Sequence, residues 1–277
     1  MSSSLLAQTR TSVPLPAPPF GVLDEFLRPL LELSHGSSFL RSIPSPPFLC
    51  GEIEYAVPHF VFNGPLAGGE TIRLGLFAAI HGDEPESARS LVALAQRLVA
   101  EPQLAAGYQL HLYPVCNPTG FADGTRHAHS GLDLNREFWR RSAEPEVWWL
   151  EHQLITRRFH GLISLHSDDT ANGYYAYVPG AVFTENLARP ALTAAAQFLP
   201  VDTRPFIDGF RNQGGLLHEC FEGVLSIPPA DLDPEPFEII LETEQSAPEP
   251  IQVQANLAAI LAILEAYRGF LGYQSGI

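Results

Sequence analysis

One feature constrains the fold more than any other: short apolar segments that fit buried strands alternate with longer segments of helical periodicity. Residues 71–80 (TIRLGLFAAI) form a nearly continuous apolar run, which is typical of a strand buried on both faces. Pro85–Ala100 follows, with apolar residues at helical spacing and a proline suited to the first turn. Strands that alternate with helices predict an α/β fold, so we expect a single-domain α/β/α sandwich with a mixed, mostly parallel sheet.

The alternation continues along the chain. Further segments with strand character lie at residues 108–115, 161–166, 174–178 and 237–241. Helical periodicity is found at residues 22–33, 145–159, 182–198 and 251–270. A proline-rich loop at residues 44–47 follows the first helix. We therefore predict an N-terminal tail and helical extension at residues 1–50 and one main α/β domain at residues 51–277.

The bulk composition excludes some classes of function. The 277 residues carry a formal net charge of -15, which argues against nucleic-acid binding because phosphate contacts need clustered basic residues. No apolar run reaches the roughly 18 residues of a membrane span, and residues 1–20 lack the continuous apolar stretch of a signal peptide. Three cysteines without close spacing fit reduced thiols. We expect a cytoplasmic protein that binds neither nucleic acid nor membrane.

Polar side chains follow the predicted strands directly. His81 and Glu84 lie three residues apart on a turn that enters a helix, so both can face one point. His166 ends another strand, and active sites of open α/β sheets gather past the C-terminal ends of strands. Two histidines and one glutamate are a ligand set that catalytic zinc uses, with a fourth position left for water. Glu242 ends a further strand, where a carboxylate could act as general base toward that water.

A glycine-rich loop at residues 117–138 carries four more polar residues that suit a substrate site. The neighbouring donors Asn135 and Arg136 fit bidentate capture of a substrate carboxylate, and Asp133 lies just before them. Arg126 or Arg136 could also stabilise the oxyanion that forms when water attacks a carbonyl. The loop therefore indicates a substrate with a free carboxylate.

The order of these motifs is more informative than any one of them, because each alone could be an ordinary polar turn. Along the chain they are HGDE, NPTGF, GLDLNREF, SLHSDD and ILET. In this order they resemble the zinc carboxypeptidase superfamily. The likeness includes its short members similar to murein peptide amidases and its succinylglutamate desuccinylase and aspartoacylase branch. It covers roughly residues 71–245.

The resemblance implies a metal centre. His81, Glu84 and His166 would be the ligands of one Zn²⁺ per chain. Asp133 would orient a ligand histidine through its free ring nitrogen.

The resemblance also implies the catalytic and substrate-binding residues. Arg126 would polarise the scissile carbonyl, while Asn135 and Arg136 would hold the terminal carboxylate of the substrate. Glu242 would be the general acid and base. Glu244 is the alternative, since it would share the same strand face if the strand continued.

Peptidases of this superfamily often carry a mobile tyrosine before the catalytic glutamate, but the corresponding stretch, residues 218–221, has none. Tyr174, Tyr175 and Tyr177 follow His166, although their spacing is also that of a plain strand. No residue is therefore assigned to this role from the sequence.

Three functions are consistent with the motifs. The first is a zinc hydrolase that cleaves a peptide or amide bond next to a substrate carboxylate, as a metallocarboxypeptidase does. The second is an N-acyl amino acid deacylase, and the third is a carboxylate-binding protein without catalysis. Desuccinylases usually carry a β-rich segment after the catalytic glutamate, whereas a helix is predicted after Glu242, which favours the first function.

Overall fold

A computed structural model describes residues 21–67, 70–224, 228–229 and 232–274. The strands are β1 (Leu40–Ile43), β2 (Phe48–Cys50), β3 (Ile53–Tyr55), β4 (His59–Asn63), β5 (Ile72–Ala78), β6 (Tyr108–Tyr113), β7 (Gly161–Asp168), β8 (Tyr175–Tyr177), β9 (Phe206–Ile207), β10 (Phe210–Arg211), β11 (Leu216–Leu217) and β12 (Phe237–Glu244). The α-helices are α1 (Asp24–Gly36), α2 (Pro85–Ala100), α3 (Pro118–Asp123), α4 (Pro145–Arg157), α5 (Ala181–Phe183), α6 (Arg189–Ala195) and α7 (Glu249–Gln274). Short 3₁₀ turns lie at Gly21–Leu23, Pro102–Ala105 and Leu134–Arg136, and a π-helical turn lies at Thr184–Ala188.

The main sheet is mixed and mostly parallel, as predicted. Within the described residues it has eight strands in the order β1-β4-β6-β5-β7-β12-β8-β11. The four central strands, from β6 to β12, run parallel to one another. The strand β8 is antiparallel to β12 and parallel to β11. The C-terminal ends of β5, β7 and β12 therefore meet at one edge, where ligand sites form in such sheets.

Helices cover both faces of the sheet, which confirms the predicted α/β/α sandwich. On one face, α1, α2, α6 and α7 contribute to the larger hydrophobic core. On the other face, α4 packs Val147, Leu150 and Leu154 into a second core with Phe77 and Phe159. The parallel strands are buried from both sides, which explains their nearly continuous apolar sequence.

The predicted elements are found with some differences in their ends. The helix α2 has the predicted bounds, because Pro85 fits the first turn and the apolar spacing is regular. The helix predicted at residues 182–198 is divided: a π-helical turn separates α5 from α6, which ends at Ala195. The strand β12 continues to Glu244, three residues beyond its predicted end, because it stays paired with β7.

The helix α1 and the strand β1, which lie near the start of the described residues, are part of the α/β/α sandwich. Leu27 and Leu30 of α1 are fully buried in the larger core, and β1 pairs with β4 in antiparallel register. Of the extension predicted at residues 1–50, residues 1–20 lie outside the described residues. The division at residue 50 remains a prediction, while the extension beyond Asp24 packs as part of the same sandwich.

The closing helix α7 is long and apolar enough to cross a membrane by length and composition alone, over Glu249–Gly272. The helix contains no continuous apolar run of 18 residues, because polar residues such as Asn256 and Glu265 interrupt it. In the structure α7 packs on α2 and α6. Its Leu264 carbonyl accepts a hydrogen bond from the buried Tyr108 hydroxyl at 2.6 Å. These contacts are those of a core helix.

Candidate active site

The turn after β5 presents His81 and Glu84 at the edge of the sheet. It starts at Ala79, whose φ of 47° is in the left-handed region that non-glycine residues rarely adopt. The Ser87 hydroxyl accepts from the Ala79 backbone N–H at 2.9 Å and donates to the Glu84 carbonyl at 2.7 Å, which fastens both ends of the turn. Glu84 lies at the N-cap of α2 but makes no capping bond with its side chain. Its carboxylate is therefore free to face His81.

A close backbone approach explains the glycine of the HGDE motif. A Cβ atom at Gly82 would lie 2.0 Å from the carbonyl carbon of Gly120, so no other residue fits without a shift. Gly120 belongs to the NPTGF motif, in which the buried Asn117 accepts from the Gly120 N–H at 2.8 Å. The side-chain amide of Asn117 donates to the Arg126 carbonyl at 3.4 Å. NPTGF therefore has a structural role: it docks the Arg126 loop against the HGDE turn.

His81, Glu84 and His166 converge although His166 comes from a different strand. The Nδ1 atom of His81 lies 2.5 Å from Glu84 Oε1, and the Nδ1 atom of His166 lies 3.2 Å from Glu84 Oε2. The two Nδ1 atoms are 3.3 Å apart. One ligand atom from each residue lies within 4.8 Å of the others, and all three side chains are buried. The three residues therefore form a compact cluster with two nitrogens and a carboxylate facing one point.

The cluster fits a divalent metal ion. Atoms at about 2.0–2.1 Å from a tetrahedral zinc lie about 3.3 Å from one another, and two of the separations above are close to that value. Glu84 Oε2 is buried and accepts no hydrogen bond although His166 Nδ1 lies 3.2 Å away, as expected of an oxygen that binds a cation. Nitrogen and carboxylate ligands suit zinc and other transition metals better than calcium or magnesium.

The charges in the cluster are strongly coupled. Burial alone would lower the pKa of His81, but the Glu84 carboxylate and the hydrogen bonds to Asp133 and Glu84 raise it to about 9. Burial would raise the pKa of Glu84, but the two histidines lower it to about 2. The buried carboxylate is therefore held in its ionised form, which is the form that binds a cation.

Asp133 connects the cluster to Arg126. Its Oδ1 atom lies 3.4 Å from His81 Nε2, while its Oδ2 atom accepts from Arg126 Nε and a terminal guanidinium nitrogen at 3.3 and 3.0 Å. Burial would raise the pKa of Asp133, but His81 and Arg126 together lower it. Asp133 Oδ1 also accepts from the Asn135 backbone N–H at 3.0 Å, which starts the 3₁₀ turn at Leu134–Arg136. One carboxylate thus positions both the histidine ring and the loop that bears Asn135.

Glu242 lies beside His166, whereas Glu244 lies apart from the site. In the parallel register of β7 and β12, Glu242 pairs with His166, and it lines the same cavity as the cluster. Burial raises the pKa of Glu242 to about 8, with His166 opposing and the Glu84 charge adding to the shift. Glu244 shares the strand face but accepts from the Ser246 hydroxyl at 2.6 Å and is not among the residues that line the cavity. The geometry favours Glu242 over Glu244 as the carboxylate near a reacting water.

Comparisons with known proteins identify proteins of similar sequence and fold. The family model of the succinylglutamate desuccinylase/aspartoacylase catalytic domain matches residues 70–179. A candidate metallopeptidase from Shewanella denitrificans has a similar structure, with a TM-score of 0.69 and 21% identity over 88% of this chain and 89% of that one. The resemblance is confirmed. The chain has the metallo-carboxypeptidase fold.

Two more solved structures have a similar fold. A metallo-carboxypeptidase from Pseudomonas aeruginosa, solved with (2-guanidinoethylmercapto)succinic acid, has a TM-score of 0.63 and 17% identity over 87% of this chain and 68% of that one. A succinylglutamate desuccinylase/aspartoacylase from Rhodobacter sphaeroides has a TM-score of 0.55 and 16% identity over 82% of this chain and 64% of that one. No curated protein sequence matches the chain.

The fold brings the residues predicted for the metal centre, for catalysis and for substrate binding to one cavity of about 510 Å³. The exceptions are Asp133, which contacts His81, and the alternative base Glu244. Asn135 is buried and Arg136 is at the rim, where its guanidinium donates to the Glu222 carbonyl and lies 5.6 Å from the Phe221 ring centre. Both are in the loop that follows Asp133. Their roles in binding a substrate remain predictions.

Several residues of the cavity were not assigned from the sequence. Tyr175 pairs with Glu242 across β8 and β12, and its hydroxyl donates to Asp168 Oδ2 at 3.0 Å. Tyr177 points its hydroxyl toward Asp208 Oδ2 at 3.5 Å. The Tyr-Tyr-Ala-Tyr spacing was a usable signal for the two tyrosines. Asp208 gave none, because it lies in the short β9–β10 turn, far along the chain from every motif.

Proposed function

We propose that the protein is a metal-dependent hydrolase that cleaves a peptide or amide bond next to a substrate carboxylate, with one Zn²⁺ per chain. The observation that carries the proposal is the convergence of His81, Glu84 and His166, with Glu242 beside them in one cavity. The metallo-carboxypeptidase fold supports it, since the cluster lies at the strand ends where such sheets place their sites.

His81, Glu84 and His166 would hold the metal, and Asp133 would fix the ring orientation of His81 through Nε2. When bound, a zinc ion supplies a Lewis acid that polarises a carbonyl oxygen and acidifies water. Two features favour this ligand set. The lowered pKa of Glu84 keeps its carboxylate ionised, and His81 Nε2 contacts the Asp133 carboxylate.

Glu242 would accept the proton of the attacking water and return it to the leaving amine. Its raised pKa of about 8 brings it near the range in which a carboxylate exchanges protons at neutral pH. Arg126 is half-exposed and lines the cavity, so its guanidinium would stabilise the negative charge that develops on the carbonyl oxygen. Its ion pair with Asp133 holds it in place in the absence of substrate.

Asn135 and Arg136 would bind the substrate carboxylate. They are adjacent in the chain and both line the cavity, so an amide and a guanidinium can donate to the same group. This arrangement fits a peptide that loses its C-terminal residue. It supports a substrate with a free carboxylate close to the bond that is cut.

A second candidate is an N-acyl amino acid deacylase, which would use the same residues on a small amide. The match of residues 70–179 to the desuccinylase/aspartoacylase family model favours it. A third, a carboxylate-binding protein without catalysis, would keep Asn135 and Arg136 but show no metal-dependent turnover.

The metal content of the purified protein tests the proposal. We expect about one zinc per chain in protein prepared without chelator, and loss of the metal in His81→Ala and His166→Ala. His129→Ala is the matched control, since His129 is exposed and not in the cluster. Metal-loaded protein should then release amino acids from peptides with a free carboxylate or from N-acyl amino acids. Protein that takes up no zinc on dialysis would contradict the proposal and leave the third candidate.

A further inference from the structure

The cavity carries acidic groups that the proposed chemistry does not use. Asp168 and Asp208 line it, and both come from elements other than those that bear the cluster residues His81 and Glu84. Asp169 lines it as well and is exposed. These carboxylates do not belong to the candidate metal cluster, although Asp168 follows His166 by two residues on β7.

Asp168 and Asp208 are held as a pair by one hydroxyl. Thr170 Oγ1 lies 2.8 Å from Asp168 Oδ1 and 3.4 Å from Asp208 Oδ1. Tyr175 and Tyr177 direct their hydroxyls to the other oxygen of each carboxylate. Partial burial and the Asp168 charge raise the pKa of Asp208, whereas the hydrogen bonds from Thr170 and Tyr177 oppose the rise. We call Asp168 and Asp208, with Thr170, Tyr175 and Tyr177, the acidic wall.

No arginine forms an ion pair with the acidic wall among the described residues, although the Arg204 charge lowers the pKa of Asp208. Neither Asp168 nor Asp208 forms an ion pair there with a basic side chain. The nearby Arg204 directs its guanidinium to Asp202, with Nε at 2.9 Å from Oδ2 and 3.1 Å from Oδ1. The arginines that line the cavity contact groups other than the wall: Arg126 pairs with Asp133, and Arg136 donates to the Glu222 carbonyl. A cation that reached the wall would have to come with the ligand.

A second observation points to a ligand with N–H donors. Asn135 lines the cavity and is only 9% exposed, yet its Oδ1 atom has no hydrogen-bond partner. Gly223 approaches this oxygen closely, because a Cβ there would lie only 3.3 Å from Oδ1. A buried acceptor without a donor is unfavourable, so an N–H group of a bound molecule would satisfy it. An amide substrate supplies such a group, and a dicarboxylate without one does not.

We propose that the substrate is a short zwitterionic peptide, whose carboxylate binds at Asn135 and Arg136 and whose cationic group binds at the acidic wall. The inference rests on the proposed function, because it concerns the substrate of the same cavity. The cation is an ammonium-type group, which a peptide supplies either as its free α-ammonium or as a basic side chain. An N-acyl aspartate has no such group and would bring a second carboxylate toward Asp168 and Asp208.

Matched peptides test the inference in metal-loaded protein. Alanyl-leucine and N-acetyl-alanyl-leucine differ in the α-ammonium, while N-acetyl-lysyl-leucine and N-acetyl-norleucyl-leucine differ in the side-chain ammonium. We expect the cationic member of at least one pair to have a kcat/KM about five times higher, the size of effect typical of a partly exposed ion pair. The pair that shows the effect identifies the source of the cation. A ratio below twofold in both pairs would overturn the inference.

Variants of the wall test whether the preference originates there. Asp208→Asn should fold, since asparagine tolerates the left-handed φ of 51° at this position. Asp168→Asn keeps a side-chain oxygen that can accept from Tyr175. In both variants we expect the kcat/KM ratio of the cationic to the neutral peptide to fall toward one. The control Glu265→Gln removes one exposed charge on α7 and should leave that ratio unchanged. A kcat/KM ratio that stays at its wild-type value in both wall variants would overturn the inference. If either variant fails to fold, the peptide comparison in the wild-type protein decides whether the inference stands.

Failure of the inference and failure of the proposed function give different results. If all four peptides are cut at similar rates, the hydrolase stands and the cation preference is overturned. If none is cut, calorimetric Kd values for the same pairs still compare their binding. Tighter binding of the cationic peptide that is lost in Asp168→Asn would support the wall while contradicting the hydrolase. Equal Kd values within each pair would overturn the inference as well.

Discussion

Glu242 on β12 lies directly beside His166 on β7, as paired neighbours in the register of two parallel strands. On its other side, Glu242 pairs with Tyr175 of the antiparallel strand β8. A candidate metal ligand, a candidate base and a tyrosine thus stand in one row across three strands. Their spacing is set by backbone hydrogen bonds of the sheet, which hold side chains more rigidly than loops do.

The position of Glu242 predicts a selective loss of catalysis. We expect Glu242→Gln to retain zinc while the rate falls about 10²-fold or more, because the amide cannot accept the proton of the attacking water. The measurement is kcat on a cleaved peptide together with metal content. Glu244→Gln is the matched control, since Glu244 is on the same strand face but hydrogen-bonds to Ser246. A larger loss in Glu244→Gln than in Glu242→Gln would reverse the assignment.

The contact of Asp133 with His81 predicts an effect on metal affinity. We expect Asp133→Asn to bind zinc about 10–100 times more weakly, because the carboxylate that fixes His81 Nε2 and holds Arg126 is lost. Competition with a chromogenic chelator measures the change. Asp123→Asn removes an exposed carboxylate from the preceding helix and should leave the affinity unchanged. Equal affinities for wild type and Asp133→Asn would argue against the positioning role.

The close contact of Gly82 with Gly120 predicts a loss of stability. We expect Gly82→Ala to lower the free energy of unfolding by at least about 2 kcal/mol, since the added methyl group collides with backbone that cannot rotate away. Zinc affinity should fall with it, because the same turn carries His81 and Glu84. The matched change Gly269→Ala, on the exposed side of α7 with nothing within 4 Å of its Cβ position, should stabilise the chain by about 0.5–1 kcal/mol. Urea unfolding of chelated protein compares the two, and similar stabilities would contradict the collision.

A buried histidine pair predicts a loss of stability in mild acid. His59 Nε2 lies 3.0 Å from His111 Nδ1, and both rings are fully enclosed. Burial, with the nearby charges of His111 and Arg157, lowers the pKa of His59 to about 2, and burial with nearby arginines lowers that of His111 to about 3. The unfolded chain takes up protons near pH 6.5 while the folded protein does not, so stability is present above that pH and is lost as pH falls.

From this pair we expect about 4 kcal/mol of unfolding free energy to be lost between pH 7 and pH 5, about half from each histidine. Urea unfolding of chelated protein at the two pH values measures the loss. The double variant His59→Phe/His111→Phe keeps the aromatic packing with Tyr113 but cannot take up these protons. Its pH-dependent loss should be smaller by that amount. Equal losses in both proteins would show that the pair protonates in the folded state.

The sequence predicted the central part of the fold better than its edges. The helix α2 and the strand β5 were identified because period and end signals agree there. The strands β1 and β4 were missed, since they pair at the antiparallel edge, where the hydrophobic pattern is short and mixed with polar residues. The π-helical turn at Thr184–Ala188 was also not visible, because its residues keep an apolar pattern compatible with one regular helix.

The candidate site, like the fold, could be predicted from the sequence only in part. His81, Glu84 and His166 follow strands directly, so their meeting at one edge could be predicted from the order of parallel strands alone. The choice between Glu242 and Glu244 could not, because it depends on the register of β12 against β7 and on which carboxylate faces the cavity. Asp208 depends on how the β9–β10 turn folds over the sheet, which no local pattern in the sequence encodes.

The short hairpin of β9 and β10 lies outside the eight-stranded sheet, yet it delivers Asp208 to the cavity formed by the strand ends. Its two strands pair only with each other among the described residues. Mutations in this hairpin can therefore alter which ligand is favoured while the ladder that aligns His166 with Glu242 stays intact. The part of the ligand preference proposed for Asp208 therefore lies outside the ladder that holds the candidate catalytic residues, so it could change in related proteins while that ladder is retained.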